Sequence, residues 1–321
     1  MRRAFTMLEL IFVIVVMGIL GKYGADIFRN TYDAYLLSSV QNQLQGESEL
    51  ALQQVSNRLQ YRLKDSVITR QPGGAPVSLS NHDGSTGYTV MEWVGYDIDG
   101  WQGVWDAGLG VNIPTWSGII DLDANDVVLP LGDIDNTDLI LTPGTDTGDI
   151  NTVISALGGS TLNNAAIFFV GANTDIGRYG WNRLNSGSTA IVDQNGSTAH
   201  PIKADAGGNL AAFNSDTTDD FTDVDVYEQY KLAWSAYALR LIADGKTDPA
   251  GNNAGTFNLF LYSDYQPWEG ETYLQGTPRL LLENVTHATW VAAGDIVRFQ
   301  VCVANRKIVG DYSICKEKAI F

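Results

Sequence analysis

The first 25 residues constrain this chain more than any other part of it. Arg2 and Arg3 precede an apolar run over residues 5–25 that only Glu9 and Lys22 interrupt. At 1.5 Å of rise per residue, a helix over this run is about 30 Å long, which matches the hydrocarbon core of a bilayer. The run therefore predicts one membrane-spanning helix, with the two arginines on the cytoplasmic side and the remainder of the chain exported.

A carboxylate lies one helical turn inside the apolar run, at Glu9. An acid within a bilayer costs roughly 3 kcal/mol on insertion scales, so such a residue predicts a function and a cationic partner. A secretory signal peptide has a shorter apolar stretch, and an ordinary single-pass anchor has no need of the acid. Neither alternative explains Glu9.

The segment Ala-Phe-Thr-Met-Leu-Glu-Leu over residues 4–10 follows a short basic leader and opens a continuous apolar helix. It resembles the class III signal of type IV pilins and pseudopilins. The resemblance implies a leader over residues 1–4, cleavage between Ala4 and Phe5 by a prepilin peptidase, and methylation of the new amino terminus at Phe5. The family usually has glycine before the cut, and Ala4 keeps a small side chain at that position.

Cleavage would place a free α-amine on Phe5, close in sequence to Glu9. Within one helix the two groups lie about 6 Å apart along the axis, a strained reach for a direct pair. Between subunits that are offset along a filament, the amine of one can meet the carboxylate of the next. Because both charges are poorly solvated in an apolar core, a wrong offset leaves each unpaired. We therefore expect the Phe5–Glu9 pair to check subunit register.

Residues 26–70 continue the helix outward with one apolar stripe, and Gln71-Pro72-Gly73-Gly74 predicts its end. Gly18, Gly21 and Gly24 predict either bending or local melting of this long helix, or close helix packing in lipid.

Residues 71–225 are rich in Gly, Asn, Asp, Thr and Ser and predict a loop-rich β elaboration of the head. Strands are predicted over 87–96 and 165–170, around Ile119 and over 139–141, with the apolar 165–170 strand central. Four tryptophans of this segment are predicted to lie in the core, because large aromatic side chains are mostly buried: Trp93, Trp101, Trp105 and Trp116.

Residues 226–321 predict an antiparallel, pilin-like sheet. The 230–241 segment is apolar on both alternating faces, which predicts a strand that is covered on both sides. Further strands are predicted over 257–262, 280–285, 296–303 and 312–320. The Leu-Leu-x-Asn-Val segment at 281–285 is also similar to the carboxyl-terminal half of larger minor pilins and pseudopilins. The predicted class is α+β: a long amino-terminal helix, half membrane-spanning and half amphipathic, packed on an antiparallel sheet.

The chain has two cysteines, Cys302 and Cys315. The exported location that the amino terminus implies allows them to pair, and the flanking residues predict two strands joined by a polar loop. A metal or catalytic role would need more ligands than this tail has. We therefore predict a Cys302–Cys315 disulfide.

The sequence of the head bears on enzymatic activity and on metal binding. The sequence contains no nucleophile elbow, Walker loop, Cys-x-x-Cys or His-Glu-x-x-His, so we expect no enzymatic activity and no organic cofactor. Calcium is a separate hypothesis, because Asp121-x-Asp123-x-Asn125 has the alternating oxygen ligands that calcium binds. The pairs Asp97/Asp99 and Asp133/Asp135 have the same spacing. The alternative for all three is a local preference of Asp and Asn for turns.

The chain has a formal net charge of −17, which becomes −19 once Arg2 and Arg3 are removed. Such a surface repels nucleic acid, so no nucleic-acid partner is expected. The resemblance implies a minor pilin or minor pseudopilin of a type IV pilus or type II secretion filament, at or near its tip or initiating its assembly. Its partners would be other pilin-like subunits, the prepilin peptidase and an inner-membrane assembly platform. The head would lie in the periplasm before assembly. The alternatives are a pilus-borne adhesin and a membrane-anchored exported binding protein or enzyme.

Overall fold

The computed structural model describes residues 7–84, 87–122, 139–158, 160–172, 175–181, 196–204, 210–212, 221, 224–246, 255–305 and 312–321. These residues form a long amino-terminal helix followed by a largely antiparallel β domain, which confirms the α+β class. The helices are α1 (Met7–Leu59), α2 (Ile98–Gln102) and α3 (Thr147–Leu157).

An eight-stranded antiparallel sheet forms the centre of the head, in the order β15-β14-β13-β12-β11-β3-β1-β2. Its strands are β1 (Ile68–Arg70), β2 (Val77–Ser78), β3 (Val90–Gly95), β11 (Ser235–Ala243), β12 (Phe257–Tyr265), β13 (Thr277–Ala293), β14 (Ile296–Asn305) and β15 (Tyr312–Ile320). The sheet thus takes β2 and β3 from the predicted elaboration and β1 from the end of the predicted helix, so it is not confined to residues 226–321.

A five-stranded sheet forms the second layer, in the order β10-β7-β8-β9-β6. Its strands are β6 (Leu139–Ile140), β7 (Ala166–Phe169), β8 (His200–Ala204), β9 (Leu210–Ala212) and β10 (Tyr230–Ala233). A separate hairpin consists of β4 (Val104–Asp106) and β5 (Val111–Ile113). Ile119 makes only an isolated bridge, to Gln229, where a strand was predicted.

Three apolar clusters hold these layers together. The carboxyl-terminal half of α1 packs on one face of the eight-stranded sheet, around Val55, Trp93 and Phe299. The other face packs against β7 and the aromatic side chains of Trp181 and Trp268. The third cluster lies between the five-stranded sheet and α3. β7 contributes to both the second and third clusters, so the prediction of a central strand over 165–170 is confirmed.

The helix ends at Leu59, about ten residues before the predicted end. The Leu63 amide donates to the Val94 carbonyl (2.8 Å) and the Tyr96 amide to the Tyr61 carbonyl (2.9 Å). The segment after Leu59 therefore pairs with β3 and leads into β1. Its apolar residues have helical spacing, but its backbone groups form hydrogen bonds with β3 in place of the hydrogen bonds of a helix.

The predicted 230–241 strand is two strands in two different sheets. β10 pairs with β7, whereas β11 pairs with β3 and β12, and Trp234 between them belongs to neither ladder. The carbonyl of Trp234 accepts a hydrogen bond from Gln266 Nε2 (2.8 Å), so its backbone stays satisfied at the crossing. The expected two-sided burial of the segment is confirmed, but by two sheets and not by one.

Candidate functional site: the exposed half of helix α1

The amino-terminal half of α1 lies outside the head. Helix α1 has 53 residues and is about 80 Å long at 1.5 Å per residue. No described side chain before Leu44 is buried, although residues 7–25 are strongly apolar. Its largest exposed side chains include Met7 (82%), Phe12 (68%) and Met17 (70%). A surface of this size and composition is not stable in water, so the helix needs lipid or other protein chains around it.

Among the described residues, α1 is the one helix long and apolar enough to span a membrane. The window that meets this criterion has a mean hydropathy of 1.9 and no buried residue. An anchor that crosses a bilayer once is consistent with these properties.

Glu9 lies on this exposed half, in the first turn of the described helix. Within the described part of the chain, its carboxylate forms no ion pair. Ala4 and Phe5, the residues on either side of the predicted cut, lie outside the described residues. The Phe5–Glu9 pairing hypothesis therefore stays a prediction.

The three glycines of the apolar half do not interrupt α1, which is continuous from Met7 to Leu59. The expected local melting is therefore absent. A Cβ atom on Gly18, Gly21 or Gly24 would meet no atom within 4 Å. No described residue requires glycine at these positions, so helix bending and close approach of a neighbouring helix both stay predictions.

Arg62 fixes the end of α1 to the head. Its guanidinium is buried and donates to four backbone carbonyls, those of Leu59, Asp295, Ile320 and Phe321. These carbonyls belong to the helix end, the β13–β14 turn and the end of the chain. Burial lowers the pKa of Arg62, while the nearby Asp295 carboxylate opposes that effect. Arg62 thus sets the direction in which the helix leaves the sheet, a role that the sequence pattern did not indicate.

A second link joins the middle of the helix to the edge of the sheet. Lys316 Nζ on β15 lies 2.7 Å from Glu49 Oε2 on α1, and this bond lowers the pKa of Glu49. Further along the helix, the Arg58 guanidinium lies 5.6 Å from the ring centre of Tyr237. The second half of α1 is therefore held on the sheet at several points along its length.

The Cys302–Cys315 disulfide is present. The two cysteines are directly opposite each other on β14 and β15, with Cα atoms 4.0 Å apart. β15 is the edge strand of the sheet and also contacts α1. The disulfide therefore secures the edge strand on which the helix rests.

The calcium hypothesis rests on residues that the structure covers only in part. Asp123 and Asn125, and also Asp133 and Asp135, lie outside the described residues, whereas Asp121 is described and exposed. Within the described residues, no group of three or more His, Cys, Asp or Glu side chains is arranged to hold a metal ion.

Asp97, the first residue of another Asp-rich pair, has a structural role. It is buried, caps α2 through the Gly100 amide (3.1 Å) and accepts from the indoles of Trp116 (3.2 Å) and Trp234 (3.4 Å). Burial raises the pKa of Asp97, and these donors oppose the effect. With its oxygens engaged by three donors, Asp97 is not a free metal ligand.

The tryptophan prediction is correct for two residues and wrong for two. Trp93 and Trp116 are buried, but Trp101 and Trp105 are 44% and 63% exposed. Trp101 lies on the short helix α2 and Trp105 on the β4–β5 hairpin, outside both large sheets. Neither position has a second layer to cover it.

The three histidines lie in three different environments. His200 is buried between the rings of Phe169 and Phe221, His82 packs on Tyr88, and His287 is exposed on β13. Burial lowers the pKa of His200 to about 3.

Comparisons of the chain with protein-family models, with curated proteins and with solved structures found no match.

Proposed function

We propose that this chain is a minor pilin or minor pseudopilin, a subunit that is stored in the inner membrane through α1 and then assembled into a filament. The observation that carries the proposal is the division of α1 into two halves. One half is packed on the sheet, and the other is exposed, with an apolar run up to residue 25 in which Glu9 is the single acid. A membrane anchor alone needs about 20 apolar residues and no carboxylate among them.

Three further features support the same proposal. α1 continues without a break from the apolar half into the head, so the place of the helix in a filament would fix the place of the head. Three glycines that no described residue requires would allow neighbouring helices to approach closely. The large head, with its second sheet, favours a minor role, because such a head at every position would crowd a helical lattice.

The first experiment is amino-terminal sequencing of the exported protein with and without the prepilin peptidase. The proposal expects a mature chain that begins at Phe5, with a methylated amine, only when the peptidase is present. An intact Met1 in both strains would favour the membrane-anchored alternative. A start near Asp26 would identify an ordinary secretory signal.

The second experiment tests assembly through Glu9, with Lys22 as a matched control in the same apolar run. Glu9→Leu should be cleaved and inserted normally but lost from filaments, because the amine of Phe5 in a neighbouring subunit would have no partner. Lys22→Leu, which also removes one charge, should assemble as the parent does. Labelling of the heads would locate the subunit, since one at the very tip has no neighbour above it. Normal entry of Glu9→Leu at internal positions would refute the register mechanism.

A further inference from the structure

One long segment of the head is acidic throughout. Residues 71–177 contain thirteen aspartates and one glutamate but neither lysine nor arginine, in a chain whose net charge is −17. Most of the excess negative charge of the protein therefore belongs to this segment. A field of one sign favours encounters with partners of the opposite sign and repels a second copy of the same surface.

The β4–β5 hairpin within this segment is apolar and exposed. Trp105 is 63% exposed, Leu109 70% and Val111 52%. The hairpin pairs with neither large sheet, and an isolated two-stranded hairpin has little stability of its own in water. Trp105 is paired with Asn112 and Val111 with Asp106, so the hairpin presents Trp105 on one face and Val111 on the other. Large apolar side chains that are exposed in this way are typical of an interaction site.

The hairpin stands on a firmly built base. The ring of Trp101 lies 4.8 Å from that of the buried Trp116, and the Thr115 amide donates to the Gly100 carbonyl (2.9 Å). Gly103 has φ +87°, and a Cβ atom there would overlap the carbonyl of Ile113. The apolar side chains are therefore held outward by a packed base.

Aspartates surround this base. Asp99 is exposed on α2, and Asp146 and Asp149 begin α3, which packs against α2. The Asp146 amide donates to the carbonyl of Thr115, two residues after the end of β5 (2.9 Å). Within the described residues, none of these three aspartates forms an ion pair. Asp146 Oδ1 caps α3 by accepting from the Gly148 and Asp149 amides, so Asp99 and Asp149 are the two whose charge is available to a partner.

We propose that the β4–β5 hairpin and the aspartates of α2 and α3 form a docking surface for a partner protein that presents apolar side chains within a ring of lysines or arginines. The apolar groups supply contact area, and the aspartates supply orientation and a fast, salt-dependent encounter. A second copy of this chain would bring acid against acid, and an anionic membrane would do the same. The surface does not involve α1, so it does not depend on the proposed assembly mechanism.

The test uses the full chain in nanodiscs of neutral lipid and a designed three-helix protein as the probe. The probe displays five leucines ringed by six lysines, and two matched versions carry glutamine or glutamate in place of the lysines. We expect the lysine version to bind about tenfold or more tighter than the glutamine version, with affinity falling as salt is raised. The glutamate version should not bind. Equal binding of all three versions would overturn the proposal.

Variants locate the binding to the hairpin. Trp105→Ser should weaken binding of the lysine probe by about tenfold, the usual effect of removing a central aromatic contact. Asp99→Asn with Asp149→Asn should reduce both affinity and salt dependence. Leu274→Ser is the control, since Leu274 is 57% exposed but lies outside the acidic segment. Unchanged binding by Trp105→Ser, with its melting temperature equal to that of the parent, would refute the assignment. Self-association that Trp105→Ser abolishes would instead identify a second copy as the occupant.

Discussion

Arg70 and Glu92 form a buried ion pair between neighbouring strands of the eight-stranded sheet. Arg70 Nε lies 2.6 Å from Glu92 Oε1, with side-chain exposures of 2% and 1%. The Tyr265 hydroxyl donates to Glu92 Oε2 (2.8 Å), and Arg70 Nη2 donates to the Trp181 carbonyl (3.3 Å). The pair therefore joins the sheet to the segment that covers its second face. Burial raises the pKa of Glu92, and the Arg70 guanidinium opposes that effect.

The first prediction concerns this pair. Glu92→Leu should lower the free energy of unfolding by about 3–5 kcal/mol, because it leaves the Arg70 charge buried without a counterion. Arg70→Leu combined with Glu92→Leu should be more stable than Glu92→Leu alone. Urea unfolding of the full chain in neutral detergent measures both. The exposed pair Lys64–Asp295 is the control, and Asp295→Asn should cost clearly less than Glu92→Leu, because solvent screens an exposed pair. Arg70→Leu alone completes the set. If the loss of unfolding free energy in the double variant equals the sum of the losses in the two single variants, the prediction is contradicted.

The second prediction concerns Asp97. Asp97→Ala should lower stability by about 2–4 kcal/mol, because it removes the cap of α2 and a shared acceptor of two buried indoles. Asp97→Asn keeps an oxygen acceptor and should lose clearly less. Asp99→Ala, at an exposed position two residues away, should stay within about 0.5 kcal/mol of the parent. Thermal melting followed by tryptophan fluorescence measures all three, and equal losses for the Ala and Asn variants would rule out the acceptor role.

The third prediction concerns the disulfide. Because it closes a short loop between residues 13 apart in sequence, Cys302→Ser with Cys315→Ser should lower stability by about 3 kcal/mol. A reductant should lower the melting temperature of the parent to that of the double variant and leave the variant unchanged. If the reductant has no effect on the parent, the disulfide does not stabilise the head.

The fourth prediction is a pH dependence that arises from His200. Its pKa is about 3 in the folded protein and about 6.5 in the unfolded chain, so the unfolded state binds the proton first as pH falls. The stabilisation from neutral His200 is complete above about pH 6.5 and is lost progressively towards pH 3, by about 3 kcal/mol between pH 7 and 4. His200→Phe should remove this component of the pH dependence.

The control for His200 is His287→Phe, a change at an exposed position on β13. Urea unfolding at intervals between pH 7 and 4 compares the slopes of the two variants with that of the parent. The difference between slopes isolates His200, since the carboxylates are the same in all three proteins. A His200→Phe slope equal to that of the parent would show that His200 is not the titrating group.

Several features of this protein could be predicted from local sequence. The helix over the first residues and the strands around Cys302 and Cys315 follow from apolar periodicity, which depends on neighbours close in the chain. Two cysteines on adjacent antiparallel strands can then pair, because their separation of 13 in sequence places both near the same end of the strand pair. The position of Glu9 within an apolar run is likewise visible without any tertiary contact, and so is the hypothesis that it acts in assembly.

Other features were decided by contacts between distant parts of the chain. The helical pattern continues past Leu59, but β3 supplies hydrogen bonds that end the helix there. The 230–241 run is apolar on both faces. It is divided at Trp234 because its first part pairs with β7 and its second part pairs with β3. Trp101 and Trp105 are as apolar as Trp93, yet no layer covers them. A sequence determines which faces of its elements need burial, whereas the free energy of packing the whole chain determines which element covers each face and which faces stay exposed for a partner.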